Sequence, residues 1–178
     1  MNKKFNKLIS DEIEKLLNVS IKKEHQSVMI YYGMAAYLKV SKLEYGGKLF
    51  DKYASEELAH AEKLNRYIDD RNGKPAIMQI PEAPNNYNSL EELLWTIYNH
   101  EVDVEKNYVV ISNVALKEGD HTTYNFINWY LNEQVEEIRK IRRLLEAYMN
   151  INKSEDVMLL MNDVFSKEYY GGNTAPID

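Results

Sequence analysis

The sequence contains no cysteine. That absence removes disulfides, thiolate-held iron or zinc and cysteine nucleophiles from the available chemistry. Nowhere do eighteen apolar residues run together, so no segment reads as a membrane span. The opening from Met1 to Lys7 is basic, but no apolar stretch of adequate length follows it. No secretory signal is expected, and the cytoplasm is the expected compartment. Positive charge is not in excess: the net charge is −6. That balance argues against passive binding to nucleic acid and suits a protein that handles cations. Strand patterns, internal repeats and low-complexity tracts are also missing.

What is present is apolar and helical. Of 178 residues, 44% are hydrophobic, enough for a core, and the length fits one domain. Four long segments carry apolar residues at steps of three and four. The first runs through Ile13, Leu17, Ser20, Glu24, Ser27, Tyr31, Ala35 and Leu38. The second runs through Phe50, Tyr53, Glu57, His60, Leu64 and Tyr67. In the third the stripe is Leu90, Leu94, Ile97, Glu101, Val104, Tyr108, Ile111 and Ala115. In the fourth it is Ile127, Tyr130, Gln134, Glu137, Ile141, Leu144 and Tyr148. Each stripe therefore holds a carboxylate at a core position, near the middle of its own segment.

Helix signals bound these segments at about 10–39, 46–70, 89–117 and 121–150, with a shorter amphipathic segment at about 154–167. Ser10 before Asp11 and Glu12 reads as an N-cap, and Ser89 with Glu92 as a capping box. The stretch Ser41 to Gly47 reads as a break, Asn72-Gly73 as a stop and Glu118-Gly119-Asp120 as a turn. The last segment places Val157, Leu160, Met161, Val164 and Phe165 on one face, and Gly171-Gly172 opens a frayed tail. Pro75, Pro81 and Pro84 make Lys74 to Asn88 a connector. At roughly 16 residues it reaches about 50 Å when extended. A helix of roughly 30 residues is about 45 Å long. The connector can therefore cross the whole bundle and leave helices two and three parallel. The expected fold is all-α: an up-down four-helix bundle with one long crossover between helices two and three and a short fifth helix.

Unpaired buried carboxylates are costly, and four at one height need compensation. Two divalent cations cancel four negative charges. Glu57-x-x-His60 adds an imidazole one turn from a carboxylate on the same face. Oxygen-rich ligation with one nitrogen suits iron(II) or manganese, and it leaves positions open for dioxygen.

The chain resembles the non-haem bacterial ferritins over nearly its whole length, as a single domain spanning 1–178. The residues that carry the resemblance are Glu24 with Tyr31; Glu56-Glu57-Leu58-Ala59-His60; Glu101; and the string from Asn125 to Glu137. The resemblance implies iron storage and a ferroxidase centre within the bundle. Glu24, Glu57 and His60 would hold one iron; Glu57 would bridge to a second, held by Glu101 and Glu137. Gln134 would sit beside that second iron, and Tyr31 would serve as electron donor or hydrogen-bond partner, with Trp129 nearby. Glu56, Glu133 and Glu136 match a third, transit iron site. Haem is not expected, since Leu58 stands where a haem-binding relative has methionine, and Met29 and Met34 read as core fillers. His25 and His100 point away from the stripe. Glu118, Asp120 and His121 lie in a region that lines cation pores in similar proteins, although a solvated loop accounts for them as well. Iron(II) and dioxygen or peroxide would be the reactants, with the product mineralised inside a homo-oligomeric cage of 24 subunits. The last helix would help to close that cage. Two alternatives are a DNA-protecting mini-ferritin and a catalytically idle or metal-free helical scaffold.

Overall fold

A computed structural model describes residues 5–171, so the basic opening up to Lys4 and the tail from Gly172 onward lie outside the described residues. Five helices follow in order: α1 (Asp11–Val40), α2 (Glu44–Asp70), α3 (Leu90–Glu118), α4 (His121–Ile151) and α5 (Val157–Gly171). No strand occurs among the described residues, and no helix there is long and apolar enough to cross a membrane.

The caps act where their sequence signals stand. Ser10 accepts the Ile13 amide at 3.0 Å, and Ser89 accepts that of Glu92 at 3.1 Å. Glu92 reaches back to the Asn88 amide at 2.7 Å, one residue earlier than a standard capping box. Gly119 ends α3 in the left-handed region (φ 72°), where a side chain is disfavoured. Asp120 then caps α4 by accepting the Thr123 amide at 2.9 Å.

Two helix starts differ from expectation. The break after α1 is only 41–43, because Gly46 and Gly47 lie inside α2. Their small size is used for packing rather than turning. A Cβ on Gly46 would stand 2.9 Å from the Phe165 ring, and one on Gly47 2.4 Å from the Lys39 side chain. The last helix begins at Val157, three residues late, because 152–156 form turns. It buries Met161 and Phe165 but leaves Leu160 at 39% exposure. The expected apolar face thus loses Leu160, while Val157 and Val164 pack against the core.

Cross-helix contacts fix the topology. Ser20, Lys23 and Ser27 of α1 meet Asn107, Asp103 and His100 of α3 in descending order. Glu56, His60 and Tyr67 of α2 meet Lys140, Tyr130 and Thr123 of α4 likewise. Both pairs are antiparallel. Residues 71–89 run along α1: Asn18 holds the Lys74 carbonyl and the Ala76 amide, and further along Tyr37 packs edge-on against Tyr87. Helices α2 and α3 therefore run parallel, joined by a crossover that travels the length of the bundle, as in one-crossover bundles.

The apolar core is divided in two. One cluster gathers Tyr31 to Leu38, Leu49 to Ala54, Leu90 to Ile97 and Ile141 to Leu145, closed by Met161 and Phe165 of α5. The other gathers Ile9 to Ile21, Leu64, Ile68, Val104 to Ala115, Ile127 and Tyr130. Between them Glu24, Glu57, Glu101, Gln134 and Glu137 are all buried, forming a polar layer across an otherwise apolar bundle.

Candidate metal centre

Each helix supplies its mid-segment carboxylate to this layer because the three-and-four spacing keeps that position on the core stripe. Glu24, Glu57 and His60 each bring one ligand atom within 4.8 Å of the others. His60 Nδ1 lies 3.2 Å from Glu57 Oε2 and 3.7 Å from Glu24 Oε2. Its ring meets Trp129 edge-on at 5.5 Å, and Tyr130 donates its hydroxyl to the His60 carbonyl at 2.9 Å. The imidazole is thus fixed from both sides. Trp129 is itself covered by Lys63, whose Nζ stands 2.8 Å from the ring centroid.

Glu101 is held by three donations. Tyr31 Oη donates to Oε1 at 2.8 Å; Gln134 Nε2 donates to Oε2 at 2.6 Å and to the Glu101 carbonyl at 3.1 Å. Tyr31 is wholly buried between Phe50 and Tyr53, which sets the direction of its hydroxyl. Glu137 takes a hydrogen bond from Lys140 Nζ on Oε1 at 2.9 Å, while its buried Oε2 has no partner among the described residues. A buried carboxylate oxygen without a donor is an open ligand position.

The electrostatics follow the geometry. Burial, then the charges of Glu24 and Glu101, push the Glu57 carboxyl well above its ordinary value. Burial and the charge of Glu137 raise Glu101 to about 8, against the hydrogen bonds from Tyr31 and Gln134. Burial also raises Glu137, opposed by Lys140. For Glu24, burial is outweighed by hydrogen bonds with His60, Glu57 and Tyr108, and its carboxyl lies below the ordinary value. For His60, burial is likewise outweighed by Glu24, and the imidazole is raised. Glu57 and Glu101 are both shifted toward holding a proton, Glu101 to about 8, which lessens the negative charge of the layer. Divalent ions at the same oxygens would displace such protons. The donor set, mostly carboxylate oxygen with one imidazole, suits iron(II) or manganese.

The other expected residues are placed less closely. Glu56 is half-buried and bonds Lys140 at 3.3 Å. Glu136 is exposed and pairs with Arg139 at 3.5 Å, and Glu133 is partly exposed. Among the described residues these three do not draw ligand atoms together as Glu24, Glu57 and His60 do. His100 is turned from the centre to Ser27 Oγ at 2.7 Å. Asp120 is engaged as the α4 cap, while Glu118 and His121 are exposed.

Two residues that touch the site carried no earlier expectation. Tyr108 donates its hydroxyl to Glu24 and stacks on Tyr130 at 4.7 Å. It lies seven residues after Glu101 on the same stripe, and a tyrosine facing a polar layer was the available signal. Lys140 stands three residues after Glu137; the i,i+3 pairing of opposite charges could have suggested it.

A buried carboxylate layer at mid-height of a one-crossover bundle is similar to that of the di-metal carboxylate bundles, which carry Glu-x-x-His on each of two helices; here Glu57-x-x-His60 is one such motif, and Gln134-x-x-Glu137 stands where a second would be. A family model for the ferritin-like domain matches residues 14–150. The chain belongs to the ferritin-like domain family. It is 30% identical over 139 residues to the bacterial non-heme ferritin of Campylobacter jejuni, covering 78% of this chain and 83% of that protein. Identity to the bacterial non-heme ferritin of Escherichia coli is 25% over 159 residues, covering 89% and 96%. Among solved structures, the open pore ferritin of Archaeoglobus fulgidus superposes with a TM-score of 0.86 at 29% identity, covering 90% of this chain and 98% of that one.

Proposed function

We propose that the protein stores iron by oxidising iron(II) within the bundle and depositing the ferric product inside a cage of 24 subunits in the cytoplasm. One observation carries this reading: buried acids from all four long helices lie in one layer, with ligand atoms of Glu24, Glu57 and His60 within 4.8 Å of one another and Glu137 Oε2 without a partner among the described residues. Glu24, Glu57 and His60 bind a first iron(II); Glu57 bridges to a second, bound by Glu101 and Glu137. The pair supplies two electrons to dioxygen or peroxide, which positions one difficult reduction between two metals. Gln134 and Tyr31 orient Glu101 through their hydrogen bonds to its carboxylate. Glu56, Glu133 and Glu136 take the product onward toward the cavity. Likeness to bacterial non-heme ferritins supports iron storage as the function.

The test is a rate. Glu57→Ala and His60→Ala should each slow iron(II) oxidation sharply, followed by ferric absorbance after mixing with air, while cage size by light scattering stays that of the parent. Oxidation at the parent rate in both variants sinks the site assignment.

A further inference from the structure

Lys140 is a cation already resident at the carboxylate layer. Its side chain is 23% exposed. Its Nζ lies 2.9 Å from Glu137 Oε1 and 3.3 Å from Glu56 Oε2. A third contact places it 5.3 Å from the ring centroid of Tyr53. The two halves of the layer differ in this respect. Around Glu24, Glu57 and His60 the partners are the Tyr108 hydroxyl, the imidazole and each other. Around Glu137 one oxygen is taken by the Lys140 ammonium and the other has no partner among the described residues. A divalent ion arriving at Glu137 must meet that charge at close range, and it must compete with it for the same carboxylate.

We infer that Lys140 is an internal competitor for the second metal: it holds Glu137 while that position is empty, makes it the weaker of the two, and so sets the order of loading. Metal enters first at Glu24, Glu57 and His60. Entry at Glu101 and Glu137 then requires the Lys140 ammonium to withdraw from Glu137. Glu56 remains within its reach. The arrival of the second metal is thereby linked to a rearrangement at Glu56, one of the residues assigned to onward transit. Like any linkage, this coupling acts in both directions. Lys140 is a positioning residue, since it ligates no metal itself. The inference rests on the assignment of Glu101 and Glu137 to the second metal.

Cobalt(II), which air does not oxidise at such a site, is a suitable probe. The assembled protein is titrated with it and the visible absorption and heat of binding are followed. The parent should take up two ions per subunit in two steps, the second weaker. Lys140→Met keeps the side-chain length without charge. It should tighten the second step by about tenfold, within the usual span of linked equilibria, and leave the first unmoved. Lys140→Arg restores the charge and should return the second step toward the parent value, which a merely structural role would not require. Lys140→Gln should behave as Lys140→Met, and it carries the test if the methionine variant fails to assemble. A second step that is unchanged or weaker in the uncharged variants overturns the inference, as does uptake of two ions in a single step by the parent. Uptake of fewer than two ions by parent and variants alike overturns the site assignment and the inference together.

Discussion

The carboxylate layer should make the metal-free protein lose stability as pH rises through neutrality, against the trend of most proteins. Glu101 shows why. Its carboxyl is raised from the ordinary 4.5 to about 8 by burial and by the charge of Glu137. Below about pH 4.5 the group is protonated in folded and unfolded chains, and its contribution is fully present. Between about pH 4.5 and 8 the unfolded chain gives up this proton and the folded chain retains it. Stability then falls by about 1.4 kcal/mol per pH unit for each such group. Over that window Glu101 alone costs on the order of 5 kcal/mol, comparable with the lower end of ordinary domain stability. Glu57, Glu137 and His60 are also raised, so each adds loss in the same direction. Glu24 is lowered, so its contribution is complete above about pH 4.5 and does not change over this window. The assay is thermal or guanidinium unfolding of chelator-treated protein at steps from pH 5 to pH 8, with and without divalent metal. Metal-free protein should weaken steadily, metal-bound protein should not, and Glu101→Gln should remove much of the slope because an amide cannot ionise. A metal-free stability that is flat or rises over this window, with no effect of Glu101→Gln, would refute the reasoning.

Further outcomes follow from the same contacts. Metal uptake should expel the proton that Glu101 holds up to about pH 8, so affinity should rise as pH approaches 8; calorimetry in buffers of different ionisation heat counts the protons, and a count of zero argues against protonated ligands. Tyr108→Phe removes the hydroxyl donated to Glu24 and should lower metal-free stability by about 1–3 kcal/mol in denaturant titration; no change would mean that water replaces it freely. Gly46→Ala places a Cβ 2.9 Å from Phe165. Its overpacking cost of about 1–3 kcal/mol should exceed the gain of about 1 kcal/mol in helix propensity, and a higher melting temperature would contradict this. Removing residues from Ser154 onward strips Met161 and Phe165 from the core and should impair cage assembly by light scattering.

Much of this was legible in the chain because helical spacing is a strict code. The four stripes, the crossover and the buried layer all follow from positions three and four apart and from three clustered prolines. Gly46 and Gly47 were misread as a break, since adjacent glycines signal a turn equally well as a close helix approach; Phe165, which decides between them, is distant in sequence. Leu160 was misplaced because a face drawn on a short helix depends on where the helix begins. Lys140 and Tyr108 were passed over for a different reason: their importance lies in what each side chain reaches, and periodicity gives a direction but no reach. The grouping of Glu56, Glu133 and Glu136 depends on rotamers and on charge partners, which spacing does not set.

The most direct test is diffraction at the iron absorption edge from crystals soaked anaerobically in iron(II). Two anomalous peaks per subunit are expected inside the bundle, one among Glu24, Glu57 and His60 and one between Glu57, Glu101 and Glu137. Absence of any peak within that layer, at iron concentrations that load the parent protein in solution, would contradict the account.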